Sequence, residues 1–379
     1  VRVLLDVSAV PDQITGAGVY TTELVRALAP RDDLELTLAA RKTDRARWAQ
    51  LAPTADIRNV APSARPARLA WEQLAGPRLA AEAGADVWHG PHYTMPLRLG
   101  IPAVVTVHDL TFFDHPEWHE RAKVFFFRWA IRASARRAAT LVCVSDATAR
   151  RLDALALPKG SVFVVNHGVD TARFTTTADD DDRARLDALG VTPPYLAFVG
   201  TIEPRKNVPA LVDAFTRVAA DHDGLSLVLA GRDAWGTGAV DAAVASSSVA
   251  SRIVRTGYVP ADTLPAMFRG ASAVVYPSFE EGFGLPPLEA MACGAPVLTT
   301  ADVAAADLAG GAVVAIQDAD PESLADGIRH VLDPATQARL RAAGPAVAAG
   351  FSWAAAAERH VEAYRAAAAT GVSGGPRRR

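Results

Sequence analysis

Pro277-Ser-Phe-Glu-Glu-Gly-Phe-Gly-Leu-Pro-Pro-Leu-Glu-Ala-Met-Ala-Cys-Gly294 sets two carboxylates, Glu281 and Glu289, on either side of a glycine-rich turn that runs into a short helix. Pro286 and Pro287 suit the first helical turn, where a missing backbone N–H costs nothing. Gly294 and then Pro296 stop the helix after about two turns. The amides of Phe283, Gly284 and Leu285 are then expected at the positive end of a helix dipole, an arrangement suited to a phosphate or diphosphate. Glu289, one turn into the helix, is placed to accept hydrogen bonds from sugar hydroxyls. A phosphate beside a polyol is the outline of a nucleotide sugar.

On both sides of this turn, short apolar runs alternate with amphipathic helical stretches, the pattern of parallel α/β folding. In the first half the spacing predicts strands at Val1–Val7, Leu34–Ala39, Val87–His89, Ala103–His108, Thr140–Val144 and Ser161–Val165. The second half restarts with Tyr195–Val199, Ser226–Ala230, Ile253–Thr256, Ala273–Tyr276, Pro296–Thr299 and Ala312–Ala315. Between them Thr175–Asp182, Thr-rich and then acidic, reads as a linker. Its four aspartates, Asp179–Asp182, read as the cap of a helix over Arg183–Leu189 rather than a metal site. Two similar halves predict two Rossmann-like domains with parallel sheets, residues 1–175 and 176–352, facing one another across a cleft. Ligands in such sheets bind beyond the carboxyl ends of the strands. Residues 353–369 read as a final helix and 370–379, rich in Gly, Ser and Arg, as a disordered tail.

Composition sets the outer bounds. The 379 residues have room for two or three domains. Half are apolar and 21% charged, as in a soluble globular protein. A net charge of −3 argues against bulk nucleic-acid binding. Cys143 and Cys293 lie far apart in apolar runs, implying no disulfide framework and a reducing compartment. There is no apolar run of about 18 residues and no basic-then-apolar leader, so a cytoplasmic location is expected.

Further motifs end the predicted strands. In Phe198-Val-Gly-Thr-Ile-Glu-Pro-Arg-Lys-Asn207, Gly200 lets the backbone turn near a ligand and Arg205 and Lys206 supply two cations for a diphosphate. Asn207 is expected to cap the next helix. Lysine is scarce, with Lys42, Lys123, Lys159 and Lys206 the full set, so one in a motif stands out. The loop Thr15-Gly-Ala-Gly-Val-Tyr20 carries Gly16 and Gly18 but lacks the third glycine and the acidic residue of a dinucleotide fingerprint. Val105-Thr-Val-His-Asp109 ends a buried strand in the polar pair His108 and Asp109. In Arg255-Thr-Gly-Tyr-Val259 the backbone at Gly257, Tyr258 and Val259 is a candidate for a nucleobase edge, with Arg232 and Asp233 at a neighbouring strand end. His89, His92, His115 and His119 cluster in sequence, yet they lack a convincing zinc ligand set.

The Glu281-x7-Glu289 spacing, set in Pro-Ser-x-x-Glu-Gly-Phe-Gly-Leu-Pro and Glu-Ala-Met-Ala-Cys-Gly-x-Pro-Val, resembles the signature of retaining family 4 glycosyltransferases of the GT-B architecture. The Arg205-Lys206-Asn207 segment resembles the donor-phosphate motif of the same family. Val144-Ser-Asp146 and Asn166-His-Gly-Val-Asp170 resemble further family segments, and the resemblance covers almost the full chain. It looks most like the mannosyltransferase-type branch that builds bacterial surface polysaccharides. One departure is Val303-Ala-Ala-Ala-Asp307, where that branch commonly carries hydroxyl side chains.

The resemblance implies transfer of a hexose, mannose from GDP-mannose, to an acceptor hydroxyl. Attack is from the front face, and the departing phosphate oxygen takes the acceptor proton. It implies that His108 lies beside the transferred sugar, Glu281 holds that sugar and Glu289 the ribose, and Arg205 and Lys206 bind the diphosphate. It also implies that the Gly16–Gly18 loop approaches the donor or acceptor, that no divalent metal or other cofactor is essential, and that the last helix packs back toward the first domain. Guanine and uracil both remain open, as do the hexose, linkage and acceptor, a glycan or a lipid-linked sugar. A nucleotide-sugar epimerase, or a non-catalytic subunit that binds sugar nucleotide, is the alternative. Trp118–Arg137, basic and aromatic, fits either contact with the inner membrane face or burial as a domain helix.

Overall fold

The computed structural model describes residues 1–14, 16–157 and 159–372. The chain divides into two units, Val1–Gly168 with Trp353–Arg379, and Val169–Ser352. Unit 1 holds strands β1 (Arg2–Asp6), β2 (Glu35–Arg41), β3 (Asp56–Ala61), β4 (Val87–Gly90), β5 (Ala103–Val107), β6 (Thr140–Cys143) and β7 (Ser161–Val164). They form one sheet in the order β3-β2-β1-β4-β5-β6-β7, parallel throughout. Unit 2 holds β8 (Tyr195–Val199), β9 (Ser226–Ala230), β10 (Ile253–Gly257), β11 (Ala273–Tyr276), β12 (Val297–Thr300) and β13 (Val314–Ile316). Their order is β10-β9-β8-β11-β12-β13, again parallel.

Parallel strands need crossover helices, which cover both faces of the sheet and bury the strands on both sides. This is why β8 and β11 read as unbroken apolar runs and β5 is interrupted only by Thr106, with every residue of the three strands buried. The spacing analysis missed β3. Its sequence Asp-Ile-Arg-Asn-Val-Ala is polar and mostly half-exposed, as an edge strand must be, and it carries neither the apolar run nor a clean alternation. In each sheet the order reverses beside the first strand, between β1 and β4 and between β8 and β11. Loops leaving either side of such a reversal splay apart and open a crevice for ligands.

Two boundary expectations change. Thr175–Asp182 belongs to unit 2: the Arg269 guanidinium donates to both Asp182 oxygens, at 2.7 and 2.6 Å, and to the Thr175 carbonyl at 3.1 Å. The helix Asp182–Ala188 therefore has no carboxylate capping its start through Asp181; Asp179 instead accepts the Asp181 N–H and pairs with Arg185. The last helix runs Trp353–Val372, so Thr370, Gly371 and Val372, expected in a disordered tail, are helical; residues 373–379 lie outside the described residues. It packs within unit 1 against the helix Ala17–Leu28 and strands β4, β5 and β6. Among the described residues no helix is long and apolar enough to cross a membrane.

Candidate active site

The unit 2 site is built at the reversal between β8 and β11. Beyond β8 the chain makes a tight turn at Pro204–Lys206 and enters the helix Val208–Val218 through Asn207, which adopts the left-handed conformation at φ 53°. A short polar side chain tolerates that backbone. Asn207 does not cap the helix as expected; its Nδ2 donates to the Ala319 carbonyl at 2.7 Å. The turn aims both cations at β11 and the loop after it. Lys206 Nζ donates to Tyr276 Oη at 2.5 Å, lies 4.6 Å from the centre of that ring, and pairs with Glu281 Oε1. Arg205 Nη1 pairs with Glu281 Oε2 at 2.6 Å and donates to the Glu280 carbonyl at 3.1 Å, while its Nη2 pairs with Glu203 at 2.7 Å.

Glu281 thus gives one oxygen to each cation, and the side chains of all four residues are at most 14% exposed. Burial alone pushes the Glu281 carboxyl up, but Arg205 and then Lys206 overcome it and hold it down at about 2. Burial pushes the Lys206 ammonium down, opposed by Glu281. Burial also raises the Tyr276 phenol well above its ordinary value. Two glutamates, one arginine and one lysine sum to zero charge. A buried cation without a partner is costly, so the carboxylates hold the cations ready in a dry setting.

The glycine-rich turn is equally fixed. Gly284 has φ 95°, and a Cβ there would fall 2.7 Å from Val303 Cγ1, so no side chain fits. The Ala305 N–H donates to the Phe283 carbonyl at 3.0 Å, and Glu281 and Val303 pair as a parallel bridge. The Val303–Asp307 segment therefore buttresses the turn. The helix Leu285–Ala292 starts at Gly284, carries both prolines in its first turn, and closes where the Ala295 N–H reaches the Ala290 carbonyl at 2.9 Å. Glu289, in its second turn, is 8% exposed.

Gly200 itself has room for a Cβ, 3.4 Å from the Phe198 ring; the close approach belongs to Gly231 after β9, where a Cβ would meet the Gly200 carbonyl at 1.8 Å. Sequence reading missed Gly231, because nothing local marks which glycine faces the other loop. At the end of β10, Tyr258 is half-buried and Val259 buried, and Arg255 pairs with Asp233 at 2.7 Å and with Asp241.

In unit 1, His108 follows β5. Its Nε2–H donates to the Pro91 carbonyl at 2.8 Å, which fixes the tautomer and leaves Nδ1 as acceptor. Burial pushes this imidazole's pKa down, so it is neutral near pH 7. Tyr20 meets it edge-on with ring centres 5.0 Å apart. Asp109 is drawn inward: its N–H donates to Tyr93 Oη at 3.0 Å, and its carboxylate accepts the Thr111 hydroxyl at 2.9 Å. Gly16 is the residue before the helix Ala17–Leu28, at φ 51°, whereas Gly18 lies inside that helix rather than in a loop; Thr15 lies outside the described residues. The four neighbouring histidines go to separate tasks. His89 is buried in a hydrogen-bond chain, His92 sits 5.8 Å from the His108 ring, His115 stacks on Trp118, and His119 bonds Thr111. Among the described residues no three His, Cys, Asp or Glu side chains are grouped to hold a metal.

Paired parallel sheets with charged loops at a strand-order reversal define a GT-B protein built from two Rossmann-like units. Comparison with known proteins carries this to a family. Residues 14–173 match the model described as Glycosyltransferase Family 4, and residues 193–334 match Glycosyl transferases group 1. The chain is 28% identical over 376 residues to O-antigen chain mannosyltransferase B of Escherichia coli, covering 93% of this chain and 96% of that one. It is 32% identical over 399 residues to the D-inositol 3-phosphate glycosyltransferase of Actinosynnema mirum, covering 92% and 91%. The structure of Anabaena HepE in complex with UDP-glucose superposes with a TM-score of 0.76 at 19% identity, covering 95% and 98%. The chain belongs to the family 4 glycosyltransferases.

Proposed function

We propose that this transferase retains anomeric configuration and moves mannose from GDP-mannose to an acceptor hydroxyl in cell-surface glycan or glycolipid synthesis. The observation that carries the reading is the Arg205–Glu281–Lys206 cluster beside the start of the helix that bears Glu289. On this reading the donor's diphosphate takes over the cations' hydrogen bonds. Glu281 is thereby released to accept from hydroxyls of the transferred sugar, while Glu289 holds the ribose. The acceptor oxygen bonds to the anomeric carbon as the bond from that carbon to the phosphate oxygen breaks. The freed diphosphate oxygen takes the acceptor proton, and its growing charge is stabilised by Arg205 and Lys206, as positioned donors do in general. These two cations do the work a divalent ion does elsewhere. Neutral His108 offers Nδ1 as an acceptor to a sugar hydroxyl.

The mannosyl donor is favoured by the near full-length likeness to an O-antigen mannosyltransferase. HepE, whose structure contains UDP-glucose, keeps uracil as the rival base. Thermal melting with GDP, UDP, GDP-mannose and UDP-glucose separates them: GDP and GDP-mannose are expected to raise the transition most. NMR of the product is expected to show the donor's anomeric configuration, and activity is expected to survive EDTA. An inverted product, or melting shifted by no nucleoside diphosphate, would refute the proposal.

A further inference from the structure

The chain leaves β4 at Gly90 and turns back at once, and the turn is strained where it is tightest. Tyr93 has φ 63° and is the one aromatic residue at positive φ among the described residues. The Thr94 N–H donates to the His92 carbonyl at 2.8 Å, so Tyr93 is the centre of a three-residue turn of the rare, strained hand. Several elements enforce it. The Tyr93 N–H donates to the Thr106 carbonyl of β5 at 3.0 Å, and the Ser134 hydroxyl donates to the Tyr93 carbonyl at 2.7 Å. The Thr94 hydroxyl donates to Glu72 Oε2 at 2.7 Å. A Cβ on Gly90 would fall 1.9 Å from the Thr94 carbonyl oxygen, so only glycine admits the return. Strain of this kind persists only where surrounding contacts over-determine it, and it gathers at functional sites.

What the turn grips is the end of β5. The Pro91 carbonyl accepts the His108 Nε2–H at 2.8 Å, and the Tyr93 hydroxyl accepts the Asp109 N–H at 3.0 Å. The turn thus holds both the imidazole of His108 and the peptide that follows it. The Tyr93 ring, 3% exposed, stands edge-on to the His108 ring with centres 5.7 Å apart. We propose that Tyr93 is a positioning residue for glycosyl transfer: its strained backbone and its hydroxyl fix the His108 ring in the orientation and tautomer that leave Nδ1 as the acceptor. The inference rests on the role given above to His108 and extends it to a residue that acts only through that imidazole. Two anchors are needed because a side chain at a strand end rotates about its own bonds. The bond to the ring sets the tautomer, whereas the bond to the Asp109 peptide sets the backbone from which the ring hangs. Relaxing Tyr93 to an ordinary φ would change the spacing of residues 91 and 93, and the two anchors could not both be kept.

Tyr93→Phe deletes the anchoring oxygen and keeps the ring. Nitrogen NMR of isotope-labelled histidine rings is expected to show His108 as a single Nε2–H tautomer in the wild type. In Y93F the same signals are expected to move toward the average of two tautomers. Turnover is read as release of nucleoside diphosphate from GDP-mannose and from UDP-glucose in water. Y93F should lower kcat about ten- to a hundredfold with the donor KM little changed. His108→Ala should lose at least as much, and Y93F added to H108A should cost less than about twofold more, because the tyrosine acts through the histidine. Ser134→Ala, which releases the Tyr93 carbonyl and leaves the ring intact, should shift the His108 signals the same way, and near-ultraviolet circular dichroism checks that each variant is folded. Unchanged His108 signals in both variants, wild-type kcat in Y93F, or losses that simply add in the double variant would each overturn the inference. Wild-type turnover in H108A would sink the role of His108 proposed above, and the inference with it, even where Y93F alters the ring's signals.

Discussion

Glu281 answers to two masters, Arg205 and Lys206, and its substitution separates stability from chemistry. Glu281→Gln leaves Arg205 paired with Glu203 and takes from Lys206 its carboxylate partner. Breaking a buried ion pair in this way typically costs about 3–5 kcal/mol. The variant is therefore expected to unfold at lower urea yet bind nucleoside diphosphate more tightly than the wild type, since the phosphates no longer compete with a carboxylate. Weaker nucleotide binding in E281Q, measured by calorimetry, would argue against the exchange of partners. On the proposed reading Lys206→Ala removes one of two cations that stabilise the leaving phosphate, and it should lower turnover roughly 10²–10³-fold, the loss seen when one oxyanion donor is deleted elsewhere. Wild-type kcat in that variant would place the phosphate somewhere else. Arg205, Lys206, Glu281 and Glu289 were all legible as candidates from residue type and spacing. That Glu281 pairs with both cations was not, because 75 residues separate Lys206 from Glu281 and only the adjacency of β8 and β11 joins them.

The last helix is held by an ordered chain of protons that only the fold assembles. His360 Nδ1–H donates to the Ala356 carbonyl at 2.7 Å, so His360 Nε2 must accept, and it takes the Tyr20 hydroxyl at 2.8 Å. Tyr20 then accepts from Thr106 at 2.8 Å, Thr106 accepts from His89 Nε2–H at 2.9 Å, and His89 Nδ1 accepts from Tyr364 at 2.8 Å. One backbone carbonyl thereby sets every donor and acceptor in a network joining Trp353–Val372 to β4, β5 and the helix Ala17–Leu28. Tyr20→Phe strands the His360 acceptor and the Thr106 donor in a dry site, and should cost about 1–3 kcal/mol per orphaned group. Urea unfolding measures it; a loss below a few tenths of a kcal/mol would mean that water or a rearranged partner fills the gap. Sequence reading placed Tyr20 only as the end of a glycine-bearing loop. Nothing in the local pattern indicates that a residue 340 positions away is its partner.

Across the molecule, buried histidines make unit 1 sensitive to acid. Burial pushes His92 down to about 3 and His360 to about 4, and lowers His89, His108 and His167 as well. A histidine whose folded pKa is depressed contributes stability that is present above its unfolded value, near 6.5, and is lost as pH falls toward the folded value. Unit 1 should therefore lose stability between about pH 6.5 and 4, first as loss of amide protection in Trp353–Val372. Glu72 has the opposite sign: burial, aided by Asp6, pushes it up to about 7. Its contribution is present below the unfolded value and lost as pH rises through 7, so Glu72→Gln should gain on the wild type at pH 8 in thermal melting. Uniform hydrogen exchange at pH 7 and 5 would contradict the histidine account, and an unchanged difference between E72Q and wild type across that range would contradict the account of Glu72.

The chain's own order of residues determined the alternation of strand and helix, the two-unit architecture and the charged residues of the loops after β8 and β11. Apolar runs, helix stops and paired charges act over a few residues and can be read locally. The fold alone decided which strands are neighbours, and with that the capture of Arg205 and Lys206 by Glu281, the pairing of Gly200 with Gly231, and the edge role of β3. It also split Phe125 and Phe127 between solvent and core, because helix rotation, not composition, turns one ring outward. Each of these depends on contacts between segments distant in sequence, whose energies no local window contains.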